Sequence, residues 1–372
     1  ANSSRRILLA MSGGVDSSTA GALLLEAGYE VIGVHMRMPS YGDEPGGERR
    51  CCGEKGVRDA RRVARELGIP FYSLSYRKKF EESVLKNFRE EYRHGRTPNP
   101  CVRCNQWLKF GMLRRTATAL EADHIATGHY VRKRFDDTSD RWELLRGTSE
   151  DDQSYFLFSL RQDQLAMARF PLGALTKKEV REKARTLDLP VHDTPGSTDL
   201  CFLPSGDYRD VLREQAPELF RTGPVLHVSG ERIGQHQGVA AYTIGQRRGL
   251  GIAWDAPLYV VELRPEDNVV VVGEKQHIFH RTCRVGELNW ISVPPPTGER
   301  RATVKIRFMH PGAPATILPA GDRTVKIQFD EPQMAPTPGQ AAVFYDGERV
   351  LGGGFIRRHE SNSRNDDRKD TQ

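Results

Sequence analysis

Short apolar runs alternate with amphipathic stretches along the first two hundred residues of the chain. The apolar runs predict strands at residues 6–11, 31–36, 71–74 and 124–127. Between them, apolar side chains recur every three or four positions, which predicts helices at 17–28, 57–67 and 105–120. This order indicates an α/β fold in which helices cover both faces of a parallel sheet. Ligands of such sheets bind beyond the carboxyl ends of the strands.

The pattern changes near Pro204, after which short strands and turns with Gly and Pro dominate. A helix is predicted at 208–214 and a hairpin at 259–263 and 269–272. Further strands are predicted at 303–308, 325–329 and 341–345, and the first alternates apolar with polar residues, as a half-buried strand does. A small C-terminal β-barrel is therefore expected. We expect a catalytic domain at 1–203, a central domain at 204–280, the barrel at 281–358 and a disordered tail at 359–372.

Composition indicates an ordinary globular protein. Hydrophobic residues make up 38% and charged residues 28% of the 372 positions. No apolar run approaches the roughly 20 residues of a membrane span. The first ten residues hold too short an apolar stretch for a signal peptide, so a cytoplasmic location is expected. The net charge of +6 is compatible with a nucleic-acid partner, but many enzymes with anionic substrates share it.

The sharpest local signal lies between the first predicted strand and the first predicted helix. It consists of Ser12, Gly13, Gly14, Val15, Asp16, Ser17 and Ser18, which we call the phosphate loop. Two glycines allow a tight turn with outward N–H groups, and the helix N-terminus and two serine hydroxyls add donors suited to phosphate. Without this function, the loop would be a glycine-rich turn with an N-cap serine. Asp16 is the candidate Mg²⁺ contact.

The six cysteines do not suggest a disulfide scaffold, because a cytoplasmic protein of this size keeps its thiols for catalysis, metal or packing. Cys101 and Cys104 form a Cys-x-x-Cys motif before a predicted helix, where the dipole would favour a thiolate. A four-cysteine zinc site would need a second such motif, which the sequence lacks. Two possibilities remain for Cys101 and Cys104: they form a reactive pair, or they share an iron–sulfur cluster with Cys201. From its local sequence alone, Cys201 fits a buried structural cysteine.

The phosphate loop resembles that of the ATP pyrophosphatase superfamily, whose members cleave ATP between the α- and β-phosphates. Further motifs are spread along the chain in a fixed order: Ser12-Gly-Gly-Val-Asp-Ser-Ser18, Asp59-Ala-Arg61, Leu67-Gly-Ile-Pro-Phe-Tyr72, Gly95-Arg-Thr-Pro-Asn-Pro100, Cys104-Asn105, Ala126-Thr-Gly-His-Tyr130, Asp152-Gln-Ser-Tyr-Phe156, Phe170-Pro-Leu-Gly173, Tyr242-Thr-Ile-Gly-Gln-Arg-Arg-Gly-Leu-Gly251, Thr337-Pro-Gly-Gln340, Val343-Phe-Tyr-Asp-Gly347 and Gly352-Gly-Gly354. By these motifs, the whole chain from Ile7 to about Ile356 resembles the bacterial tRNA-specific 2-thiouridylases.

The resemblance implies an adenine nucleotide alpha hydrolase-like catalytic domain, a central domain and a C-terminal β-barrel. It implies that ATP, with Mg²⁺, activates C2 of the wobble uridine (U34) of tRNA as an adenylate. A persulfide then supplies sulfur, giving 2-thiouridine, AMP and pyrophosphate. Cys104 would be the nucleophile and Cys201 the persulfide carrier, since a persulfide sulfur is held by one thiol and released by a second.

The same resemblance implies the binding residues and the partners. ATP contacts would fall on residues 12–18, Met36 and Gly128. The implied tRNA contacts are Asn99, Pro100, Cys101, His129, Asp151, Asp152, Gln153, Arg307, Phe308 and Gln340. The partners would be tRNA and a persulfide sulfur-donor protein, and the free protein is expected to be a monomer.

Three departures from the family pattern bear on these expectations. Cys101 stands where many members have aspartate, which favours a [4Fe-4S] cluster at Cys101, Cys104 and Cys201. Asp199 lies two residues before Cys201, where its charge would raise the thiol pKa. Asp151 stands where a lysine is usual, which removes one expected phosphate contact.

Other interpretations remain open at this stage. Another ATP pyrophosphatase, such as an amidotransferase-type synthetase or a different tRNA thiolase, is the nearest alternative. A non-catalytic RNA-binding protein with an ATP switch would tolerate loss of the two thiols. Arg247 and Arg248 would bind tRNA phosphates or lie in a solvated turn. Tyr155, Phe156 and Phe158 would stack an extruded base or belong to the core.

Overall fold

The computed structural model describes residues 5–39, 54–194, 200–203, 207–321 and 323–358. Cys51, Cys52, Asp199 and the predicted tail at 359–372 lie outside the described residues. The strands, in chain order, are β1 Arg6–Ala10, β2 Glu30–Arg37, β3 Phe71–Ser75, β4 His124–Ala126, β5 Val131–Asp136, β6 Arg141–Arg146, β7 Ala168–Arg169, β8 Gly223–His227, β9 Arg232–His236, β10 Tyr259–Arg264, β11 Val269–Gly273, β12 Phe279–Asn289, β13 Arg300–Lys305, β14 Ala313–Pro319, β15 Val325–Met334, β16 Ala341–Asp346 and β17 Arg349–Ile356.

Helices precede, connect and cover these strands. The α-helices are α1 Val15–Glu26, α2 Glu54–Glu66, α3 Arg77–Phe80, α4 Lys86–Arg93, α5 Pro100–Cys104, α6 Leu113–Ala119, α7 Gln162–Met167, α8 Lys177–Thr186 and α9 Tyr208–Gln215. π-helical turns are found at Glu81–Leu85 and Asn105–Met112. Short 3₁₀ turns lie at Ser154–Phe156, Pro217–Leu219, Val239–Ala241 and Lys275–Ile278. No helix within the described ranges is long and apolar enough to cross a membrane.

The first domain is built on a parallel sheet with the strand order β3-β2-β1-β4-β7, which confirms the predicted α/β class. Side chains alternate between its two faces. Leu8, Val34 and Met36 pack into one buried cluster, and Ile7, Leu9 and Val31 pack into another on the opposite face. Both faces are apolar because helices cover both of them.

The helix predicted at 105–120 begins earlier, at Pro100, and residues 100–119 are helical throughout. We call this continuous segment the cysteine helix. Asn99 accepts the backbone N–H of Val102 through its side chain at 3.2 Å, and proline occupies the first helical position. An Asn N-cap followed by Pro starts a helix without losing a hydrogen bond. Cys101 therefore lies in the first turn, and Cys104 lies one turn further along.

The C-terminal strands confirm the predicted barrel. Six strands pair in the order β12-β15-β14-β13-β16-β17, and pairing of β12 with β17 closes them. The sequence did not predict that β5 and β6 extend this sheet, with β6 pairing to β17 through Leu145 opposite Arg349. The hairpin formed by β5 and β6 belongs to the first half of the chain, so it joins the first domain to the barrel.

In the sequence, a four-stranded sheet with the order β10-β11-β8-β9 lies between the first domain and the barrel. It contains the hairpin predicted at 259–263 and 269–272, which is β10 and β11.

Candidate active site

The phosphate loop follows β1 at the carboxyl edge of the parallel sheet, and hydrogen bonds among its own residues fix its shape. The Ser12 N–H donates to the Ser17 hydroxyl at 3.1 Å, and the Gly14 N–H donates to the Ser12 hydroxyl at 3.3 Å. The hydroxyls of Ser17 and Ser18 donate to the Gly14 carbonyl at 3.2 and 2.9 Å. Both hydroxyls are buried and are used inside the loop.

The N-terminus of α1 is suited to an anionic ligand. Gly14 occupies the N-cap position, and among the described residues no side chain caps the helix. The first N–H groups of a helix have no acceptor within the helix, so these donors are available to phosphate oxygens. Gly13 has a φ of +84°, and a Cβ there would lie 2.5 Å from the Gly56 carbonyl oxygen at the start of α2. The loop thus depends on glycine at this position.

Gly128, a predicted ATP contact, lies directly against the phosphate loop. A Cβ added to Gly128 would be 2.8 Å from the Ser17 nitrogen and 2.9 Å from the Asp16 carbonyl carbon. The loop after β4 therefore approaches the α1 N-terminus as closely as backbone allows. Met36, the other predicted contact outside the loop, is buried near the carboxyl end of β2. The sheet brings together the residues that the sequence predicted for ATP.

Asp16 is bound by two side chains from distant parts of the chain. Lys177 Nζ donates to both carboxylate oxygens, and the Tyr130 hydroxyl donates to Oδ1 at 2.6 Å. Burial, and next the Asp16 charge, raise the pKa of Tyr130 far above its ordinary value. Lys177 is the first residue of α8, and its backbone N–H donates to the Asp151 carboxylate at 3.3 Å. The phosphate loop thus has a lysine nearby, although position 151 lacks one.

Lys177 is a residue that the sequence analysis missed. Its only local signal is a helix start, because Thr176 and Glu179 form a capping box around it. That signal predicts α8 but not a contact with Asp16, which lies far away in the sequence. The contact arises because α1 and α8 pack side by side, and Lys183 of α8 also pairs with Glu26 at the other end of α1.

Cys104 is buried in the cysteine helix, and Cys101 is half-buried beside it. The next residue, Asn105, donates from Nδ2 to the Phe156 carbonyl at 3.2 Å. Its Oδ1 is buried and has no hydrogen-bond partner among the described residues. The helix changes from α to π geometry at this residue, a change that often marks functional positions.

Cys201 packs against the buried cluster that contains Cys104, although the two are far apart in the sequence. The neighbouring Phe202 is almost fully buried and holds this short segment, with ring centroids 5.4 Å from Phe80 and from Phe88. Both cysteines are thiols rather than disulfides. The fold thus brings the two predicted reactive cysteines to one region.

The described residues contain no preformed site for a single metal ion. Within the described ranges, no three His, Cys, Asp or Glu side chains are grouped to hold one. Cys101, Cys104 and Cys201 lie in those ranges, so they do not surround a single ion. The thiolates of a [4Fe-4S] cluster bind different irons, and the expected cluster stays a prediction.

The C-terminal barrel contacts the segment that leads into the cysteine helix. Gln340 Nε2 donates to the carbonyls of Thr97 and Pro98 at 3.2 and 3.0 Å. The Thr97 N–H donates to the Pro338 carbonyl at 2.8 Å. Asn99 and Pro100, predicted to contact tRNA, are buried here. The structure therefore gives Gln340, Asn99 and Pro100 packing partners within the chain, and their tRNA contacts stay predictions.

The other predicted tRNA residues differ in exposure. Asp151 and Arg307 are exposed. Asp152 accepts the N–H groups of Gly147 and Ser154, both at 3.0 Å, and Gln153 accepts the Tyr130 N–H at 3.2 Å. These two side chains therefore help to hold the loop that precedes the Ser154–Phe156 turn.

The aromatic residues after that loop belong largely to the core. Tyr155 and Phe158 are fully buried. Phe156 is half-buried, with its ring centroid 4.5 Å from that of Phe308. Phe156 and Phe308 are therefore a pair of partly exposed rings, one from the first domain and one from the barrel.

His129 follows β4 next to Gly128, with its Nδ1 2.7 Å from the Thr127 hydroxyl. Burial, and next the positive charge of Lys109, lower the pKa of His129 well below its ordinary value. The ring is therefore neutral near pH 7. Lys109 lies in the π-helical turn of the cysteine helix, so His129 sits between the phosphate loop and that helix.

Comparison with known proteins agrees with this arrangement. Family models match residues 5–205 (tRNA methyl transferase HUP domain), 209–274 (tRNA methyl transferase PRC-barrel domain) and 280–356 (Aminomethyltransferase beta-barrel domain). The tRNA-specific 2-thiouridylase MnmA of Symbiobacterium thermophilum is 48% identical over 364 residues, covering 95% of this chain and 92% of that protein. The protein of the same name from Moorella thermoacetica is 48% identical over 351 residues, covering 94% and 98%.

These matches confirm the resemblance drawn from the motifs. The parallel sheet with its phosphate loop defines a nucleotide-binding α/β enzyme with two further, β-rich domains. Within that class, the chain belongs to the family of tRNA-specific 2-thiouridylases.

Proposed function

We propose that this protein is a tRNA-uridine 2-sulfurtransferase, which uses ATP to convert the wobble uridine of tRNA to 2-thiouridine. The observation that carries the proposal is the joint placement of the phosphate loop and two distant thiols. The loop follows β1, and Cys104 and Cys201 pack into the cluster on one face of the same sheet. An enzyme that only cleaved ATP would need no thiols.

ATP activates the uridine in the first step. The C2 oxygen attacks the α-phosphorus, a new P–O bond forms, pyrophosphate leaves, and the uridine N3 proton is lost. The open N–H groups of α1 would hold phosphate oxygens, and Lys177 would offset their negative charge. Asp16 would hold Mg²⁺, which neutralises phosphate charge when bound. The proposal also assigns residues 12–18, Met36 and Gly128 to ATP binding.

Sulfur replaces the activated oxygen in the second step. Cys201 carries the persulfide, and a C–S bond forms at C2 as the C–O bond breaks and AMP leaves. Cys104 attacks the Cys201 sulfur, so a Cys104–Cys201 disulfide forms and the outer sulfur is released with the electron pair. This attack precedes the transfer if free hydrosulfide is the nucleophile and follows it if the persulfide attacks directly. A dithiol reductant then restores both thiols.

A persulfide-bearing donor protein would load Cys201 before each turnover, and the free enzyme would be a monomer. The chain would divide into a catalytic domain at 1–203, a central domain at 204–280 and the barrel at 281–358. The tRNA would meet the residues around Asp151, which is exposed, and Phe308, which is half-buried.

The cluster-dependent alternative is a [4Fe-4S] cluster on Cys101, Cys104 and Cys201, with no persulfide on Cys201. We favour the two-thiol route because Cys104 and Cys201 pack into the same hydrophobic core, and we derive no step through an iron–sulfur cluster. Visible absorbance and iron content of anaerobically purified protein distinguish the routes. An iron-free, fully active sample supports the two-thiol route, and activity that requires iron contradicts it.

The test of the proposed function is mass spectrometry of tRNA nucleosides after incubation with the protein, ATP, Mg²⁺ and a persulfide donor. Wild-type protein and a Cys283→Ala control, which loses a buried barrel thiol, should produce 2-thiouridine at the wobble position. Cys201→Ser should produce none. If ATP is converted to AMP and pyrophosphate but no thiolated nucleoside appears in wild type, the substrate assignment is wrong. If Cys201→Ser thiolates normally, the sulfur route is wrong.

A further inference from the structure

The side chain of Arg103 is buried where the cysteine helix meets the C-terminal barrel. The residue is only 8% exposed. Its guanidinium carbon lies 3.9 Å from the ring centroid of Phe355 on β17 and 5.0 Å from that of Trp107 in the π-helical turn. One ring belongs to the barrel and the other to the cysteine helix, so the guanidinium bridges the two.

A buried guanidinium is stabilised by hydrogen-bond acceptors. Arg103 has one acceptor on the barrel and one on the cysteine helix. Nη2 donates to Glu287 of β12 at 2.7 Å, and Nη1 donates to Gln106 of the cysteine helix at 3.3 Å. Hydrogen bonds between charged groups are shorter and stronger than neutral ones. The stronger contact is therefore the one to the barrel.

Glu287 adopts a backbone conformation that is unfavourable for glutamate. Its φ is +51°, and it lies where the pairing of β12 with β17 shifts register between Gly286 and Asn289. A non-glycine residue in this region costs free energy, which the surrounding structure must offset. Two residues later, Asn289 Nδ2 donates to the carbonyls of Phe158 and Leu160 at 2.6 and 2.9 Å. This strained part of β12 thus contacts the first domain twice, through Glu287 with Arg103 and through Asn289 with the carbonyls of Phe158 and Leu160.

Arg103 immediately precedes Cys104 in one continuous helix. Successive helical side chains project about 100° apart, so fixing the direction of one side chain fixes the direction of the next. The ion pair with Glu287 and the contact with the Phe355 ring, both on the barrel, oppose rotation of the helix about its axis at this residue. A thiol displaced by about 1 Å can lose about 100-fold in rate.

We propose that Arg103 is a positioning residue, which orients the Cys104 thiol by joining the cysteine helix to Glu287 and Phe355 of the barrel. The inference rests on the proposed function, in which Cys104 acts in sulfur transfer and not in adenylation. It assigns the barrel a role in placing the nucleophile. Loss of the contact should therefore slow the second step and leave the first unchanged.

The test compares Arg103→Lys, Arg103→Met and Glu287→Asn with wild type. Asparagine tolerates the left-handed backbone of residue 287 but is too short to replace the carboxylate contact. Arg301→Met is the matched control, because Arg301 forms a surface ion pair with Asp330 on the same barrel. Four quantities are measured: 2-thiouridine formation, pyrophosphate release, the unfolding temperature, and the rate of Cys104 alkylation by iodoacetamide, followed by peptide mass spectrometry.

Arg103→Met and Glu287→Asn should lower 2-thiouridine formation about tenfold or more while pyrophosphate release changes less than about twofold. Alkylation of Cys104 should become about threefold faster or more, because a released helix exposes the buried thiol. Arg103→Lys should be intermediate, and the control should match wild type. Unchanged thiolation, or an equal fall in both steps with a lower unfolding temperature in Glu287→Asn, overturns the inference.

The alkylation rate separates this inference from the proposed function. If wild type makes no 2-thiouridine, the proposed function fails, yet the alkylation comparison still decides whether Arg103 positions Cys104. Unchanged alkylation in both variants contradicts the positioning role whatever the reaction is.

Discussion

The phosphate loop is held by its own residues and by other residues of the first domain, whereas the cysteine helix is held by residues of the distant barrel. Hydrogen bonds among Ser12, Gly14, Ser17 and Ser18 fix the loop, and Lys177 adds a contact from the same domain. The segment before the cysteine helix instead receives contacts from Pro338 and Gln340, and the helix itself from Glu287. The comparison indicates that adenylation depends on packing within the first domain, while sulfur transfer depends on packing between domains.

The largest effect on pyrophosphate release is expected from removing the lysine beside the phosphate loop. Lys177→Met removes the positive charge that would offset the charge of the bound phosphates, and it removes the donor to both oxygens of Asp16. We expect pyrophosphate release to fall about 100-fold, the scale of losing one preorganised charge-stabilising donor. The measurement is the steady-state rate with tRNA at varied ATP. The adjacent exposed Lys178→Met is the control and should behave like wild type. Equal rates for both variants would show that Lys177 only holds α8 against α1.

A smaller but still clear effect is expected where Gly128 meets the loop. Gly128→Ala places a Cβ 2.8 Å from the Ser17 nitrogen, so the loop must shift. Overpacking of this kind costs about 1–3 kcal/mol, and we expect weaker ATP binding together with a lower free energy of unfolding. Isothermal titration and denaturant unfolding measure the two. Gly298→Ala, where a Cβ meets no heavy atom within 4 Å, is the control. ATP affinity equal to wild type would contradict the close approach.

The phosphate loop and Lys177 show what could and could not be predicted from the sequence. The loop was predictable because its glycines, serines and flanking elements are consecutive. Lys177 was not, because its contact with Asp16 depends on the packing of α1 against α8. The start of the cysteine helix at Pro100 was predictable in principle from Asn99 and Pro100, since an Asn cap and a following Pro are local signals.

The sequence predicted that the C-terminal strands form a barrel, but it did not predict which residues of the first domain the barrel contacts. The alternation that includes Val304 and Ile306 predicts a strand at 303–308, and both residues are buried in the barrel core. The observed strand β13 is Arg300–Lys305, so it starts earlier and ends before Ile306. The pairing of β6 with β17 and the contact of Gln340 with Thr97 join residues some two hundred positions apart. No local pattern encodes such pairings, because they follow from closure of the fold.

A moderate effect is expected from the barrel side of the comparison. Gln340→Leu removes the donors to the carbonyls of Thr97 and Pro98, and each such hydrogen bond contributes about 1 kcal/mol. We expect thiolation to slow about five- to thirtyfold, the range that about 1–2 kcal/mol produces, with pyrophosphate release unchanged. Parallel assays of both products check this. The exposed barrel variant Gln328→Leu should have no effect. Slowing of both steps together would mean that the two regions are not independent.

The smallest expected effect concerns acid stability at His129, between the two regions. Its pKa in the folded state is lowered below the ordinary 6.5, by burial first and Lys109 second. Below pH 6.5 the unfolded chain therefore binds more protons than the folded one, and stability is lost as pH falls. His129→Gln should lose less free energy of unfolding than wild type between pH 7 and pH 5, measured by denaturant unfolding. An identical pH dependence in both proteins would contradict a half-buried imidazole that is neutral in the folded state.

The separation of the two steps is tested most directly by a single-turnover experiment with Cys104→Ser. The protein, loaded with persulfide on Cys201, is mixed with ATP and tRNA, and pyrophosphate and 2-thiouridine are quantified in the same quenched samples. The account predicts pyrophosphate release at the wild-type rate with no 2-thiouridine formed. Loss of pyrophosphate release, or formation of 2-thiouridine at the wild-type rate, would contradict it.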